Sequence, residues 1–121
     1  LNQKLCSEDI SFYACECVRE KLLAELDQEI PYKIWVRPKY VHVPANSAWH
    51  IQLEILVPKK NYKAIVIGKK AEKLKAVGTA ARMELMGKLM QTGRLDLKVM
   101  VDENLWGLKS DVYYQLGWKK K

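Results

Sequence analysis

The feature that most constrains this chain is an apolar run that ends on a glycine, continues with two lysines and leads into a helical pattern. The run is Ala64 to Ile67, the glycine is Gly68, and apolar residues with helical spacing begin at Leu74. A helix N-terminus presents free backbone N–H groups and the positive end of the helix dipole, and both favour phosphate. We therefore expect a basic loop at a helix start that holds phosphate groups.

Positive charge is concentrated around this loop. From Lys59 to Arg82 the chain has eight basic residues and one acidic residue, Glu72, which gives this stretch a net charge of +7. The whole chain of 121 residues also carries +7, so the remainder sums to zero. Charge gathered in one stretch is typical of a surface that attracts a polyanion.

Length and composition favour one domain of a larger protein. A chain of 121 residues suits a single domain, and a hydrophobic content of 49% is ordinary for a globular fold. No apolar run approaches the roughly 20 residues that a membrane span requires. The start, Leu1 to Leu5, is neither a signal peptide nor a basic presequence, and it lacks an initiator methionine. We therefore expect residues 1–121 to be a single domain from a longer chain.

The cysteines indicate a reducing compartment. Cys6, Cys15 and Cys17 are odd in number and crowded near the N-terminus, whereas a disulfide framework uses an even, spread-out set. His42 and His50 are isolated in the sequence, so no second cluster completes a zinc site. We interpret the cysteines as reduced, partly buried thiols and expect no bound metal.

Helical spacing and alternation predict the first half of the chain. A helix is predicted from Ser7 to Gln28, because Ser7 suits an N-cap and Pro31 forces an end. Two strands follow, at residues 33–43 and 50–57, and they should pair antiparallel. Pro38 places the first of these strands at an edge or at a bulge.

The second half of the chain holds one ambiguous element. The residues Tyr62 to Ile67 fit a strand or a short helix, and their length and β-branched side chains favour a strand. A long helix then runs to about Met90 with Gly93 at its exit, and a third strand spans Leu95 to Val101. Three strands with helices packed on one face form an α+β layer.

The tryptophans admit both packing and base stacking. Trp35 alternates with apolar neighbours, so packing is preferred, whereas Trp49 begins a strand beside a turn and is expected at an edge or a partner contact. The aromatic residues after residue 105 are expected to anchor the tail to the body. These are Trp106, Tyr113, Tyr114 and Trp118.

Two common catalytic motifs, a nucleotide-hydrolysing loop and a nucleophile elbow, are missing from the sequence. Gly87-Lys88 is followed by Leu89 and has Arg82 where a nucleotide-binding loop requires its first glycine. No Gly-x-Ser-x-Gly element surrounds any serine. A binding module is therefore preferred to an enzyme.

The loop resembles that of a KH domain. Residues 65–74, Ile-Val-Ile-Gly-Lys-Lys-Ala-Glu-Lys-Leu, resemble the KH stretch Ile-Ile-Ile-Gly-Lys-Gly-Gly-Glu-Lys-Ile, whose Gly-x-x-Gly loop clamps about four nucleotides. The order of elements resembles the type II KH topology, α-β-β-α-α-β, in which the ambiguous element is a helix. Other stretches resemble the C-terminal domain of the Era family of ribosome-assembly GTPases. These are Val18 to Leu23, Glu29 to Tyr32, Gly78 to Arg82, Leu95 to Val101 and Leu116 to Trp118.

This resemblance implies a type II KH domain with a three-stranded sheet and helices on one face. It further implies binding to the single-stranded 3′ end of small-subunit ribosomal RNA during assembly of the small ribosomal subunit. The implied RNA-binding residues surround the loop. They are Lys63, Ile65, Ile67, Gly68, Lys69, Lys70, Ala71, Lys73 and Leu74.

The resemblance also implies a setting for the domain. GTP and magnesium would bind an upstream GTPase domain and not this chain, which needs no cofactor. The expected partners are small-subunit ribosomal RNA and ribosomal proteins or assembly factors, with the chain monomeric and without a transmembrane segment. Its altered loop indicates a mitochondrial matrix or other organelle, with the bacterial cytoplasm as the alternative.

Two departures from the KH pattern leave a second function open. Lys70 and Ala71 stand where the Era family has glycines. If position 70 requires a positive φ, a lysine is strained there, and the Ala71 methyl group occupies space near the sugar–phosphate backbone. The alternative is therefore a diverged KH domain that acts mainly as a protein-interaction or ribosome-docking module.

Overall fold

The computed structural model describes residues 7–26 and 34–102 and has the element order α-β-β-α-α-β. The helices are α1 (Ser7–Glu25), α2 (Lys60–Ile67) and α3 (Glu72–Leu89). The strands are β1 (Trp35–His42), β2 (Trp49–Val57) and β3 (Gly93–Val101), and a 3-10 turn, Lys69–Ala71, joins α2 to α3. The predicted order of elements is confirmed.

The ambiguous element is a helix, so the preference for a strand was wrong. The backbone N–H of Gly68 donates to the carbonyl of Ala64 at 2.9 Å, which is a helical bond. Only Val66 is fully buried in α2, so the burial is one-sided. The first helix ends at Glu25 rather than at the predicted Gln28, which lies outside the described residues.

The sheet has the order β1-β2-β3, with β2 in the centre. The strands β1 and β2 are antiparallel, with a register shift between Pro38 and Tyr40, so both predicted consequences of Pro38 are confirmed. The strands β2 and β3 are parallel. A parallel pair needs a long crossover, and α2 and α3 supply it.

The core lies between the sheet and the helices. Alternate residues of β2 face α1 and α3 and are fully buried, namely Ile51, Leu53, Ile55 and Val57. Cys15 and Cys17 of α1 are free and buried, and burial raises the pKa of each thiol to about 11. The prediction of buried thiols is confirmed for these two, while Cys6 lies outside the described residues.

One polar cluster fastens α1 to α3. The carboxylate of Glu84 accepts hydrogen bonds from the Tyr13 hydroxyl at 2.7 Å and from the Lys21 ammonium. These bonds favour the charged carboxylate, so the pKa of Glu84 is lowered, with Lys21 the larger cause. These bonds join α1 to α3, the helix that follows the basic loop.

Two tryptophans do not lie where the sequence predicted. Trp49 is a core residue, 1% exposed, and its indole N–H donates to the Gln91 carbonyl at 2.7 Å. Trp35 is 38% exposed at the start of the edge strand β1, where it lines a cavity with residues of α1 instead of packing in the core. The predicted anchors of the tail, from Trp106 onward, lie outside the described residues.

The helix exit also differs from the prediction. Met90 takes the left-handed conformation that ends α3, with φ 58°, whereas Gly93 begins β3 directly against the Trp49 ring. Gly93 is therefore required by a close approach and not by the helix end. Within residues 7–26 and 34–102, no helix has both the length and the apolar character needed to cross a bilayer.

Candidate nucleic-acid interface

The loop between α2 and α3 begins with a glycine that no other residue replaces easily. Gly68 has φ 80° and ψ 174°, a region that is essentially restricted to glycine. A Cβ atom at this position would lie 2.9 Å from Cγ of Lys73 and 3.0 Å from the Lys73 backbone nitrogen. The chain therefore reverses tightly onto the first turn of α3.

The next two unusual conformations belong to Lys70 and Ala71. Both are left-handed, with φ 54° and 62° respectively. For Lys70 this fulfils the condition that the sequence set for strain, and Ala71 is a second strained position that the sequence did not indicate. Each costs roughly 1–2 kcal/mol for a residue with a Cβ atom. The loop thus keeps a shape suited to glycine although both of its left-handed residues have side chains.

The start of α3 has no side-chain cap. Ala71 occupies the N-cap position, and its methyl side chain accepts no hydrogen bond, while the backbone N–H of Glu72 donates to the carbonyl of Lys69. A helix that begins without a side-chain acceptor leaves those of its first N–H groups that lack a backbone acceptor to solvent or to a ligand. An anion is the ligand that these groups and the helix dipole favour.

Four predicted lysines lie around these donors. Lys69 and Lys70 are exposed in the turn itself, while Lys63 of α2 and Lys73 of α3 are half-buried beside it. In the described part of the chain, no carboxylate lies within 4.0 Å of any of these four ammonium groups. Their charge is therefore available to a bound polyanion.

A groove of about 380 Å³ runs beside the loop between α3 and β3. Its floor is mostly apolar and its rim is basic. The lining residues are Leu74, Lys75, Gly78, Thr79, Arg82, Leu95 and Leu97. We call this the α3–β3 groove.

Small residues on α3 keep the α3–β3 groove open. A Cβ atom on Gly78 would already lie 3.6 Å from Cδ1 of Leu97, so any larger side chain would fill the space. At the far end, the Arg82 guanidinium donates to the Gly93 carbonyl at 2.7 Å and is held at the rim. The groove is therefore an open depression between a helix and the edge strand, with apolar side chains from both.

The structure separates the predicted apolar site residues. Leu74 lines the α3–β3 groove, whereas Ile65 is 37% exposed on α2 and Ile67 packs against the core. The sequence prediction omitted Leu95 and Leu97 from the site, since their alternation indicated only a strand. The opposite wall of the groove includes the small residues Gly78 and Thr79 of α3.

Comparison with known proteins decides the family. A family model described as the KH domain matches residues 29–104, which is more than half of the chain. The chain belongs to the KH domain family. The type II KH fold expected from the resemblance is thereby confirmed.

Relatives of this KH domain are Era proteins from bacteria. GTPase Era of Mesorhizobium japonicum is 38% identical over 104 residues, which cover 86% of this chain and 33% of that protein. GTPase Era of Alkaliphilus metalliredigens is 41% identical over 105 residues, which cover 86% and 35%. The chain therefore spans about a third of the length of these relatives.

Solved Era structures share the fold of this KH domain. A variant of Aquifex aeolicus Era bound to GDP and AlF4− matches with a TM-score of 0.75 and 32% identity, over 89% of this chain and 36% of that one. Era in complex with MgGDPNP and nucleotides 1506–1542 of 16S ribosomal RNA matches with a TM-score of 0.73 and 31% identity, over 94% and 40%. The resemblance to Era is confirmed.

The left-handed pair of the KH loop gives a prediction for stability. Replacing Lys70→Gly and Ala71→Gly together should raise the free energy of unfolding by about 1 kcal/mol, because the relieved strain exceeds the entropic cost of glycine. Urea unfolding measures this change. Ala76→Gly in the exposed, regular part of α3 is the control and should lower stability by about 1 kcal/mol. A loss in both variants would contradict the left-handed loop.

Proposed function

We propose that this KH domain binds single-stranded RNA, with its loop on the phosphates and its groove on the bases. The observation that carries the proposal is that three features lie next to one another: an α3 N-terminus without a side-chain cap, four lysines with no carboxylate partner among the described residues, and a partly apolar groove. Single-stranded RNA presents both negative phosphates and flat apolar bases side by side. A purely electrostatic surface would have no need of the groove.

In this proposal the roles divide between the two parts of the site. Lys69 and Lys70 bind phosphates, assisted by Lys63 and Lys73, while Gly68 and Ala71 bring the backbone close to the sugar–phosphate chain. Leu74 supports a base in the α3–β3 groove. Ile65 and Ile67 act from α2, behind the loop, by holding the apolar end of that helix in place.

We further propose that the RNA is the 3′ end of small-subunit ribosomal RNA. Support comes from the related Era protein, whose complex contains nucleotides 1506–1542 of 16S ribosomal RNA. The complete protein would then be a GTPase that acts in assembly of the small ribosomal subunit. GTP and magnesium would bind outside this chain, which serves as the binding module and not as an enzyme.

The setting of the complete protein is proposed on the same basis. Its relatives are bacterial, which favours the bacterial cytoplasm over the mitochondrial matrix or another organelle. Ribosomal proteins or assembly factors are proposed as additional partners, with the domain acting as a monomer.

A titration with a single-stranded oligoribonucleotide tests the proposal. Three or four phosphate contacts should make the logarithm of the association constant fall with the logarithm of salt concentration with a slope of about −2 to −3. Fluorescence anisotropy at several salt concentrations measures this slope. Absence of binding at low salt would contradict RNA binding by this chain.

A protein-interaction module is the second candidate, and the left-handed Lys70 and Ala71 favour it. Their side chains project from a loop that RNA must approach closely. The titration above, repeated with both residues replaced by glycine, distinguishes the two candidates. RNA binding that emerges only in the glycine variant would support the protein-interaction module.

A further inference from the structure

The strand that borders the α3–β3 groove also borders a second surface. Leu95 and Leu97 of β3 line the groove, and alternation along the strand places Arg94 and Lys98 on the opposite face of the sheet. Leu97 and Lys98 are consecutive, so their Cα atoms are about 3.8 Å apart. Since β3 is an edge strand, nothing in the sheet separates the groove from this other face.

That other face, which we call the outer face, is positively charged. It carries four cations and two carboxylates from the three strands. The cations are Arg37, Lys39, Arg94 and Lys98, and the carboxylates are Glu54 and Asp96.

The two carboxylates of the outer face are already engaged. Glu54 accepts from the Arg37 guanidinium at 2.7 Å and is buried beneath it. Asp96 contacts the His50 ring nitrogen at 2.8 Å and accepts from Arg94 at 3.1 Å. These bonds lower the pKa of Asp96, with His50 the largest cause. The acids therefore hold basic side chains in place, and the four cations less the two carboxylates leave a net charge of +2.

Lys98 is the most available cation of this surface. It is exposed, and within the described ranges no carboxylate lies within 4.0 Å of its ammonium group. The Arg94 side chain is 73% exposed although it contacts Asp96. A shallow depression of about 140 Å³ lies between Lys98 and Lys39 across the outer face.

We propose that RNA bound in the α3–β3 groove continues over the edge of β3 onto the outer face, where Arg94 and Lys98 bind phosphates of the following nucleotides. This inference rests on the proposed RNA binding by the groove. It is argued from the continuity of the two surfaces along β3 and from the positive charge of the outer face. It extends the interface beyond the stretch of about four nucleotides that a KH loop clamps.

Two oligoribonucleotides of different length test this extension. One has four nucleotides, enough for the groove, and the other has the same four in the middle of ten. The longer one should bind more tightly, and its salt slope should be steeper by about 1.4, which corresponds to two further phosphates. Replacing Arg94→Gln together with Lys98→Gln should weaken binding of the longer one about tenfold and leave the shorter one within about twofold.

A matched single substitution controls for general loss of charge. Lys88→Gln removes an exposed lysine at the other end of α3, where its ammonium lies 5.1 Å from the centre of the Tyr13 ring. This variant should bind both oligonucleotides within about twofold of the native chain, whereas Lys98→Gln alone should weaken only the longer one. Circular dichroism should find all variants folded, because the replaced side chains are exposed.

The outcomes separate this inference from the proposed function. Equal affinity for the two lengths, or a longer oligonucleotide that is insensitive to Arg94→Gln with Lys98→Gln, would overturn the extension and leave the groove proposal intact. Failure of both oligonucleotides to bind at low salt would overturn both. A third outcome is that the domain binds a ribosomal protein through Lys98 and that this protein displaces neither oligonucleotide. In that case the outer face is a protein surface and the extension is wrong.

Discussion

Gly93→Ala should destabilise the domain by about 3 kcal/mol or more. A Cβ atom at this position would lie 1.9 Å from Cδ2 of Trp49 and 2.1 Å from its Cε2, which is far inside van der Waals contact. Trp49 is 1% exposed and its indole is fixed by the Gln91 carbonyl, so the ring has no free direction in which to move. Overpacking of a core costs about 1–3 kcal/mol, and displacement of a buried tryptophan adds to that cost.

Thermal unfolding measures the effect, and the melting temperature should fall on the order of 15 °C. Gly87→Ala is the matched control. It adds the same methyl group to a helical glycine with nothing within 4 Å, so it should raise stability by about 0.5–1 kcal/mol. In a Trp49→Leu background, Gly93→Ala should cost much less, since the clashing ring is gone. Equal losses at positions 87 and 93 would refute the close approach.

The same pair of residues explains one limit of the sequence prediction. The sequence places Trp49 at a strand start beside a turn, which is an exposed position on local grounds. Its burial depends on Gly93, its register partner in β3, and that pairing is parallel. Parallel pairing joins segments far apart in the chain, so alternation within each segment does not reveal it.

The short helix α2 illustrates the same limit. Ile65, Val66 and Ile67 suit a strand or a helix of eight residues equally well, and strand propensity favoured the wrong element. The parallel arrangement of β2 and β3 requires a crossover, and a helical α2 belongs to it. Family resemblance carried this long-range information, whereas the local pattern did not.

The loop was more accessible to sequence reasoning than the groove. The loop consists of a glycine, two lysines and a helix start that are consecutive in the chain, so the sequence alone predicts that they lie together. The α3–β3 groove combines side chains from two elements that meet only in the folded sheet. Gly78 and Thr79 of α3 lie on one wall and Leu95 and Leu97 of β3 on the other, and neither segment alone indicates a groove.

Reversing the charge of the loop should cause the largest functional loss. Lys69→Asp with Lys70→Asp should weaken RNA binding on the order of a hundredfold at low salt. An ion pair at about 4 Å is worth roughly 1 kcal/mol in water, and here two attractions become two repulsions, partly screened by salt. Fluorescence anisotropy with a single-stranded oligoribonucleotide measures the change.

The loop variant should remain folded, and a second variant with the same net charge serves as its control. Aspartate tolerates the left-handed conformation of position 70 better than lysine does, and a negative charge near the α3 N-terminus is favourable. Lys59→Asp with Lys60→Asp changes the net charge by the same amount at the opposite end of α2, about 12 Å along the helix. That control should lose about fivefold or less, because only long-range attraction is reduced. Equal losses of RNA affinity in the two variants would mean that the affinity depends on the total charge of this side of the domain. The loop would then not be the phosphate-binding site.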